Sequence, residues 1–282
     1  MTNTPPEISI RRAESVVDYI ACQAAQRAAW GITDDSYVVP LATMVGAQLH
    51  GGLVLGAFLP DGRAVGLSFA FLGRTEGRLC LYSQLTGVVP GYQDRGLGFR
   101  LKTAQRDVAR AEGVPCIAWA FDPLQAGNAR FNLDKLGATS GHYVANMYGP
   151  RSDALNRNSP TDRLIAVWET DDSPSRALKP PHATDVPRLV EAGPDGEPAI
   201  ASMPVGLSKL MLEIPADVSR LRADRPELAE RWGLAVREGF LASFGAGFRA
   251  VGFHREEAPV GRRSFYVLER DSSDFSSSRR IA

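Results

Sequence analysis

The sequence predicts an α/β fold with a mixed sheet, in which an antiparallel meander is followed by a parallel strand. Three β-prone apolar runs lie one after another between residues 51 and 89 and are separated by short turns, which favours antiparallel pairing. A helical stretch and a further apolar run, Cys116–Phe121, come next. Because a strand–helix–strand crossover places its two strands parallel, the sheet should be mixed.

The composition is that of a globular protein without a broad electrostatic field. The chain has 282 residues, of which 44% are hydrophobic and 23% charged, enough for one large domain or two modest ones. Its 32 basic and 32 acidic residues balance, so nucleic-acid binding is not expected and any anion site has to be local.

Cysteine usage and hydropathy predict a cytoplasmic protein. Cys22, Cys80 and Cys116 form no C-x-x-C pair, which indicates small buried hydrophobic residues in a reducing compartment and neither a disulfide framework nor a metal site. The N-terminal stretch is polar, without an apolar signal core, and no run is as long as a membrane span. We therefore expect no membrane association.

Local signals predict the first elements of the chain. Residues 7–11 alternate in polarity like a strand, and Ser15 can cap a helix that ends at Trp30 and Gly31. A second short helix is expected over residues 40–49. The three runs of the meander follow at residues 51–58, 64–72 and 79–89.

A strand, a glycine turn and a helix follow one another between Leu79 and Glu112. The turn is Gln93-Asp94-Arg95-Gly96-Leu97-Gly98, and the predicted apolar face of the helix is Leu101, Ala104, Val108 and Ala111. The N–H groups and dipole of a helix N-terminus attract phosphate, and glycine lets an anion approach the backbone. An ordinary β-turn-α connection is the alternative, because a short glycine motif is weak evidence.

Two other glycine motifs do not fit this turn. It lacks the Lys-Ser/Thr pair that closes a P-loop, which argues against a nucleotide triphosphatase. It also lacks the third glycine of the dinucleotide fingerprint, and no acidic residue follows a second strand at the usual interval.

The pattern Gln93-x-x-Gly96-x-Gly98, between an apolar strand and a helix, resembles the coenzyme A pyrophosphate loop of the GNAT superfamily of N-acyltransferases. The resemblance implies a GNAT-like fold with a central antiparallel meander and a splayed parallel strand pair. Later blocks resemble a less studied subgroup of predicted GNAT enzymes: Asp122-Pro123-Leu124, Asn128-Ala129, Lys135-Leu136-Gly137-Ala138, Tyr148-Gly149 and Thr161-Asp162-Arg163.

The same resemblance implies a reaction and a set of cofactor contacts. An acyl group would move from acetyl-CoA or another acyl-CoA to a primary amine of a small metabolite such as an amino acid. Acetyl is the first expectation for the acyl group, and succinyl is the second. The amine would attack directly in a ternary complex, and no metal is implied. The implied cofactor-binding residues are Val88, Val89, Gln93, Asp94, Arg95, Gly96, Leu97, Gly98 and Asn128.

The catalytic acid and base of the family do not carry over. Alignment on residues 135–137 puts Leu133 where many GNAT enzymes have a tyrosine acid, and residues 82–84 lack the glutamate that often serves as base. Asp122 could instead cap a turn, and a lone strand histidine is often structural. The predicted catalytic candidates are Asp122, His142 and Tyr148, with Tyr143 beside them.

Trp30 and Arg163 are the candidates for acceptor binding. In GNAT folds the segment after the first helix covers the acceptor site, although Trp30 could equally be a packing residue. Arg163 could hold a carboxylate of the acceptor or of a succinyl-like acyl group, or it could form a salt bridge with Asp162. A homodimer is compatible with the sequence.

The predicted domain organisation has two folded parts. Residues 1–170 form the GNAT-like acyl-CoA-binding domain, and residues 205–270 form a C-terminal β-α-β-β extension that packs on it. Residues 171–204 are rich in proline and predict a linker. Residues 1–6 and the polar tail 271–282 predict disorder.

Two other functions remain open at this point. A GNAT-like fold that binds coenzyme A without chemistry would be a sensor module, which the missing tyrosine and glutamate favour. A phosphate-ester or nucleotide binder could use the same glycine turn.

Overall fold

A computed structural model describes residues 7–93, 95–149, 160–171, 186–203, 206–259 and 261–270. The chain forms two compact units. The first comprises Met1–Trp119 with Glu169–Asp172, and the second comprises Ala120–Trp168 with Ser173–Ala282.

The first unit contains a mixed sheet and three helices. Its strands are β1 (Ser9–Arg12), β2 (Leu53–Phe58), β3 (Ala64–Thr75), β4 (Arg78–Val88) and β5 (Cys116–Phe121), which begins in this unit. Its helices are α1 (Val16–Trp30), α2 (Leu41–Leu49) and α3 (Leu97–Ala111). The strands run in the order β1-β2-β3-β4-β5, and every neighbouring pair is antiparallel except the parallel pair β4–β5. The predicted mixed sheet is confirmed.

Helix α1 begins and ends where its local signals predict. The Ser15 side chain accepts a hydrogen bond from the Asp18 N–H, and the Asp18 carboxylate accepts one from the Ser15 N–H, which is a capping box. Gly31 at the C-terminal end has φ 61° and ψ 37°, a left-handed conformation that glycine adopts without strain.

The two faces of β3 contact different helices. Leu67 and Phe69 belong to a core cluster with Tyr19 of α1 and Met44 of α2. The alternate residue Ser68 is hydrogen-bonded to Gln105 of α3. Helix α3 therefore packs on the face of the sheet opposite to α1 and α2.

The predicted apolar face of α3 was wrong in part. Leu101 is buried, but Ala111 is exposed, and Ala104 and Val108 are half-buried. The helix is rotated because two polar side chains on it find hydrogen-bond partners on the sheet. The buried residues of α3 are Leu97, Leu101, Lys102, Gln105 and Ala109.

The segment Glu169–Asp172 completes the first unit after a long excursion of the chain. The Thr170 hydroxyl donates to the Val114 carbonyl oxygen at 2.6 Å, and the Thr170 N–H donates to the Pro115 carbonyl oxygen at 3.0 Å. Arg78 forms a bidentate ion pair with Glu169 at 2.7 and 3.0 Å. These bonds attach the returning segment to the strand ends of the unit.

The second unit contains a larger sheet and three helices. Its helices are α4 (Ala126–Arg130), followed by a π-helical turn (Phe131–Lys135), α5 (Val218–Asp224) and α6 (Pro226–Gly245). Its strands are β6 (Thr139–Val144), β7 (Arg163–Glu169), β8 (Arg188–Ala192), β9 (Pro198–Ile200), β10 (Lys209–Ile214), β11 (Arg249–Ala258) and β12 (Gly261–Glu269). They run in the order β7-β6-β11-β12-β10-β8-β9.

An aromatic cluster holds α6 on this sheet. Phe240 of α6 is fully buried and meets Tyr266 edge to face, with ring centroids 4.9 Å apart and an interplanar angle of 82°. Tyr143 of β6 stacks on Phe240 at 5.8 Å. Such pairs add about 0.5–1.5 kcal/mol each to the stabilisation from burial.

The first domain was predicted to end at residue 170. In the structure the first unit instead leaves off at Trp119, inside β5, and resumes at Glu169. Residues 120–168 belong with the later part of the chain through direct contacts. One is the hydrogen bond from the Tyr266 hydroxyl to the Pro123 carbonyl oxygen at 2.8 Å. Another is the stacking of Tyr143 on Phe240.

The predicted linker 171–204 was also wrong where it is described. Residues 186–203 contain β8, which pairs in parallel with β10, and β9, which pairs antiparallel with β8. Pro187 precedes β8 and Pro198 starts β9 at the sheet edge, where the missing N–H of proline is tolerated. The rest of the predicted linker, residues 1–6 and the tail 271–282 lie outside the described residues.

Cysteine burial and membrane character were checked on the described residues. Cys22, Cys80 and Cys116 are buried free thiols, and their predicted burial is confirmed. None of the described helices combines the length and the apolar character needed to cross a membrane.

A substitution at Gly239 tests how closely α6 packs on strands β8 and β10. A Cβ there would lie 2.7 Å from Val190 Cγ2 and 2.8 Å from Leu212 Cδ1, and both side chains are fully buried. We expect Gly239→Ala to lower the free energy of unfolding by about 1–2 kcal/mol despite the better helix propensity of alanine. Gly245→Ala is the control in the same helix, because its Cβ would meet nothing within 4 Å. Equal stabilities in urea titrations would contradict the packing assignment.

Candidate functional site

The turn between β4 and α3 presents an open helix N-terminus. Gly96 is the N-cap of α3 in a left-handed conformation, φ 71° and ψ 6°, which favours glycine. The Arg100 N–H donates to the Gly96 carbonyl oxygen at 3.0 Å, so intrahelical bonding starts there. The N–H groups of the preceding first-turn residues therefore have no intrahelical acceptor. Gly96 is exposed, and among the described residues beyond its chain neighbours no atom lies within 4 Å of the position of a Cβ on it.

Gly98 lies in the first turn of α3, beside the end of β4. The atom nearest to a Cβ on Gly98 would be Val88 Cγ2, at 4.0 Å. Leu97, the neighbouring residue, is 2% exposed and anchors the helix start in the core. Among the described residues, no atom comes closer than 4.0 Å to a Cβ on Gly98, while Leu97 holds the backbone beside it in place.

Two side chains of the turn have local partners. Gln93 Nε2 donates to the Val88 carbonyl oxygen at 3.1 Å, so Gln93 closes the turn onto the strand. The Arg95 guanidinium carbon lies 5.6 Å from the centroid of the Tyr92 ring, and Arg95 is exposed. Asp94, another predicted cofactor residue, lies outside the described residues.

The backbone of Val88 and Val89 is already partly engaged. The Val89 N–H donates to the Val65 carbonyl oxygen at 3.0 Å, and the Val89 carbonyl oxygen accepts from the Tyr92 N–H at 3.0 Å. Because a carbonyl oxygen has two lone pairs, the oxygens of Val88 and Val89 can each accept one more hydrogen bond. The Val89 N–H is not available to a ligand.

Strands β4 and β5 pair over a short distance. Leu81 is in register with Ile117 and Tyr82 with Ala118, and among the described residues the pairing ends there. The second half of β4, which leads to the glycine turn, therefore has no partner in β5. Unpaired strand groups at such an edge can bond an extended ligand.

A bulge marks the same part of β4. The register with β3 changes from Phe69 opposite Leu85 to Ala70 opposite Ser83, which leaves Gln84 as the extra residue. Gln84 is exposed. Bulges redirect side chains and occur often beside functional sites.

Lys102 of α3 is buried directly behind this region. The side chain donates from Nζ to Ser83 Oγ at 2.9 Å and to Gln105 Oε1 at 3.3 Å. Its Nζ also lies 3.7 Å from the centroid of the Trp119 ring. Gln105 Nε2 in turn donates to Ser68 Oγ at 3.0 Å.

These groups close into a ring of hydrogen bonds. Thr86 Oγ1 lies 2.9 Å from Ser68 Oγ and 3.4 Å from Ser83 Oγ. We call the set Lys102, Gln105, Ser68, Thr86 and Ser83 the polar ring. Desolvation by burial lowers the pKa of Lys102 to about 7. Lys102 was not among the predicted site residues, because the inner face of α3 was predicted from its apolar residues alone.

Asp122 follows β5 in the second unit and caps a turn. Its Oδ1 accepts the Leu124 N–H at 2.8 Å, which is the structural role that the sequence left open. Its Oδ2 accepts from Arg222 Nη2 at 3.2 Å, and the two side chains are 16% and 10% exposed. Both carboxylate oxygens of this predicted base are therefore engaged.

Asp162 is the centre of a second charged cluster. Arg237 of α6 donates to both of its oxygens at 2.8 Å, and the Tyr143 hydroxyl donates to Oδ2 at 2.5 Å. Burial alone would raise the pKa of Asp162, but the hydrogen bonds from Arg237 and Tyr143 outweigh it, so the pKa is lowered. Burial, and then the bond to Asp162, raises the pKa of Tyr143.

A cavity of about 290 Å³ lies between these two clusters in the second unit. Asp122 and Arg222 form one part of its wall, and Tyr143, Asp162 and Arg237 form another. The remaining wall is mainly apolar. The cavity is just below the range of roughly 300–1,000 Å³ that is usual for small-molecule sites.

The other predicted catalytic residues do not line this cavity. His142 is exposed and points away from its neighbour Tyr143, because successive strand residues face opposite sides. Tyr148 is 39% exposed, and its N–H donates to Thr161 Oγ1 at 2.9 Å. Their catalytic roles stay predictions.

Arg163 contacts Tyr148 and the backbone. The guanidinium carbon lies 5.2 Å from the centroid of the Tyr148 ring, and Nη1 donates to the Asp162 carbonyl oxygen at 2.7 Å. The expected alternative, a salt bridge to the Asp162 carboxylate, is replaced by the pair of Asp162 with Arg237.

Two further residues, Trp30 and Asn128, keep their predicted roles untested. Trp30 ends α1, and its ring occupies the place where a Cβ of Gly87 in β4 would lie, with ring atoms 2.4 and 2.5 Å from that point. Asn128 of α4 is exposed. Leu133, in the position expected for a tyrosine acid, is 3% exposed within the π-helical turn. The described residues contain no cluster of three or more His, Cys, Asp or Glu that could hold a metal ion.

No family model and no curated protein matches this chain. Several solved structures of acetyltransferases are similar to part of it. A GNAT-family acetyltransferase from Streptococcus pneumoniae shares 15% identity over 58% of this chain and 99% of its own, with a TM-score of 0.46. The ribosomal-protein-S18-alanine N-acetyltransferase from Escherichia coli shares 18% over 58% of this chain and 95% of its own, with a TM-score of 0.45.

A further similar structure is yncA from Salmonella typhimurium, solved with its cofactor acetyl-CoA. It shares 22% identity over 58% of this chain and 95% of its own, at a TM-score of 0.46. At these identities the similarity concerns the fold of part of the chain.

Lys102 predicts a pH-dependent stability. The folded protein releases the Lys102 proton near pH 7, whereas the unfolded chain keeps it to about pH 10.5, so the unfolded state binds more protons in between. The free energy of unfolding of the wild type should therefore rise with pH relative to Lys102→Met, by about 2–3 kcal/mol from pH 7.5 to 9.5. Urea titrations at several pH values measure the difference.

The control for that measurement is Leu101→Met, which changes a neighbouring buried side chain without changing a titratable group. Its difference from the wild type should not vary with pH. A pH-independent difference for Lys102→Met would contradict the buried, deprotonating lysine.

The pair Asp122–Arg222 predicts strong energetic coupling. Removing either partner leaves the other largely buried without its counter-charge, so Asp122→Asn and Arg222→Met should each cost about 1–3 kcal/mol. The double variant should be more stable than the sum by at least ~1 kcal/mol. The exposed pair Arg220–Asp224 on the same helix α5 is the control, and coupling there should stay below ~0.5 kcal/mol. Similar coupling in both pairs would contradict the buried pair.

Proposed function

We propose that this protein is an acyl-CoA-dependent N-acyltransferase of the GNAT type. The observation that carries the proposal is the open N-terminus of α3, with Gly96 and Gly98 in its turn, directly after a strand whose parallel partner diverges. A pyrophosphate fits the helix terminus, and an extended pantetheine arm fits the unpaired part of β4.

Most of the predicted cofactor residues have a specific task in this proposal. The N–H groups of Leu97 and Gly98 bind the pyrophosphate, and the absence of a Cβ on Gly98 lets it approach. Arg95 supplies positive charge from the rim of the turn. The carbonyl oxygens of Val88 and Val89 accept from the amides of the pantetheine arm, and Gln93 holds the turn in shape.

The reaction is acyl transfer to a primary amine in a ternary complex. The neutral amine attacks the thioester carbonyl carbon, the C–N bond forms, and the C–S bond breaks to release coenzyme A as a thiol. The proton lost by the amine goes to a base, for which Asp122, His142 and Tyr148 are the candidates, and the departing thiolate takes up a proton in turn, so no net proton is released. Most of the rate enhancement would come from positioning.

We further propose a cytoplasmic enzyme that transfers an acetyl group, or a succinyl group, to the amine of a small metabolite, amino acids included. Asn128 is proposed to meet the pantetheine arm, and Trp30 and Arg163 to bind the acceptor. The assembly proposed for it is a homodimer.

A sensor that binds coenzyme A without chemistry is the second candidate. Leu133 is buried where a general acid would be expected, and Gln84 occupies the bulge of β4 where a glutamate base would be expected. Asp122 is engaged by Arg222 and by the Leu124 N–H. A thiol-release assay with acetyl-CoA and a panel of amines separates the two candidates. Only an enzyme would release coenzyme A faster than the uncatalysed reaction in buffer.

Gly98→Val tests the cofactor site. The valine side chain would extend over the first turn of α3 from a Cβ that keeps an ordinary van der Waals distance of 4.0 Å to Val88 Cγ2. We expect coenzyme A to bind at least ~10-fold more weakly, a loss of ~1.4 kcal/mol, with little change in thermal unfolding. Titration calorimetry measures the affinity.

Gly46→Val in α2 is the matched control, because its Cβ would also meet nothing within 4 Å. It should bind coenzyme A like the wild type. Unchanged affinity in a folded Gly98→Val protein would exclude the glycine turn as the pyrophosphate site.

A further inference from the structure

The cavity of the second unit is lined along one side by a stripe of α6. Glu227, Glu230, Leu234 and Arg237 recur at three- or four-residue intervals and share one helix face. Arg237 is only partly exposed, while Glu227, Glu230 and Leu234 are exposed at the entrance. The stripe thus leads from an acidic entrance to a buried charged end.

The charges of the lining do not balance. Among the residues that the structure describes, four carboxylates and two guanidinium groups line the cavity, a formal excess of two negative charges. Asp122 and Asp162 are each paired with one arginine, so the excess resides on Glu227 and Glu230. Within the part of the chain that the structure describes, neither glutamate forms an ion pair. Their neighbour Arg231 forms a bidentate pair with Glu197 at 2.7 and 2.8 Å and has only a weaker, through-space electrostatic interaction with Glu227 and Glu230.

Both arginines of the wall are committed to aspartates. The charge of Arg237 is already balanced by Asp162, which also accepts from Tyr143 and from the Asn146 N–H. A ligand carboxylate that reached the remaining N–H groups of Arg237 would place a second negative charge beside the 10% exposed Asp162 with no further cation to balance it, which is unfavourable. An anionic group is therefore disfavoured at the inner end, and the entrance repels it as well.

The rest of the wall is apolar. It is formed by Pro123, Leu124, Pro160, Ala229 and Leu234. Gly233 also lines the cavity and has no side chain to fill it; the atom nearest to a Cβ built there would be Leu124 Cδ1, at 4.0 Å. Such a wall removes an aliphatic or aromatic body from water, which is the main source of affinity for small ligands.

We propose that this cavity binds a small organic amine with an apolar body and no free carboxylate. The apolar body lies against the wall, and the ammonium group pairs with Glu227 and Glu230. That this amine is the acyl acceptor rests on the proposed function. If it is, the acceptor is an amine without a carboxylate and not an amino acid. The binding itself does not depend on the proposed function.

Titration calorimetry without coenzyme A tests the proposal on the full-length protein. The probes are phenethylamine, phenylalanine, which adds a carboxylate to the same body, and 3-phenylpropionate, which has only the carboxylate. We expect saturable binding of phenethylamine, at least ~10-fold weaker binding of phenylalanine and none of 3-phenylpropionate. Equal or tighter binding of either carboxylate, or no saturable binding of phenethylamine, overturns the proposal.

Charge variants on α6 identify the site. Glu227→Gln with Glu230→Gln should weaken phenethylamine binding about 5- to 10-fold, and the loss should shrink at high salt. Glu238→Gln is the matched control, since Glu238 is exposed on the same helix but does not line the cavity. Unchanged affinity in the double variant, or an equal loss in the control, would place the amine elsewhere and overturn the proposal.

The two proposals fail separately. Coenzyme A affinity is measured in the same double variant, where it should equal that of the wild type. Amine binding without coenzyme A binding would leave the cavity assignment standing and remove the acyltransferase, whereas the reverse result would remove only the cavity assignment.

Discussion

The burial of one lysine amino group constrains how α3 packs on the sheet of the first unit. Lys102 lies between α3 and the sheet, where its Nζ needs Ser83, Gln105 and the Trp119 ring to offset its desolvation. These partners fix how α3 rotates on the sheet. Since the glycine turn begins the same helix, the direction of the free N–H groups at its N-terminus is set by a hydrogen-bond ring two turns further along.

Local chemistry made the framework of this fold predictable. The capping box at Ser15, the left-handed Gly31 and the apolar runs of the meander depend on neighbours in the sequence. The rotation of α3 was not predictable in that way, because Lys102 and Gln105 look like solvent-facing residues until Ser83 and Ser68 are brought opposite them. The two strands among the prolines were hidden because Pro187 and Pro198 lie at positions that a strand start tolerates.

The same distinction between local and long-range interactions applies to the candidate site. The glycine turn was found from a contiguous pattern, and its geometry needs only the residues of that pattern. The partners of the two aspartates were not found, because Arg222 is 100 positions from Asp122 and Arg237 is 75 positions from Asp162. One sequence offers many arginines at such distances and no local signal that selects one. The cavity depends on these long-range pairs, so it could only be recognised once α5 and α6 were placed in the second unit.

The return of the chain at Glu169 makes the first unit discontinuous, and this has a consequence for its synthesis. Thr170 bonds to Val114 and Pro115, and Arg110 donates to the Thr170 carbonyl oxygen at 2.6 Å. A ribosome has to translate the whole stretch from Ala120 to Trp168, which belongs to the other unit, before these bonds can form. Until then the N-terminal part lacks the hydrogen bonds of this segment. The two units therefore cannot complete their folding strictly one after the other from the N-terminus.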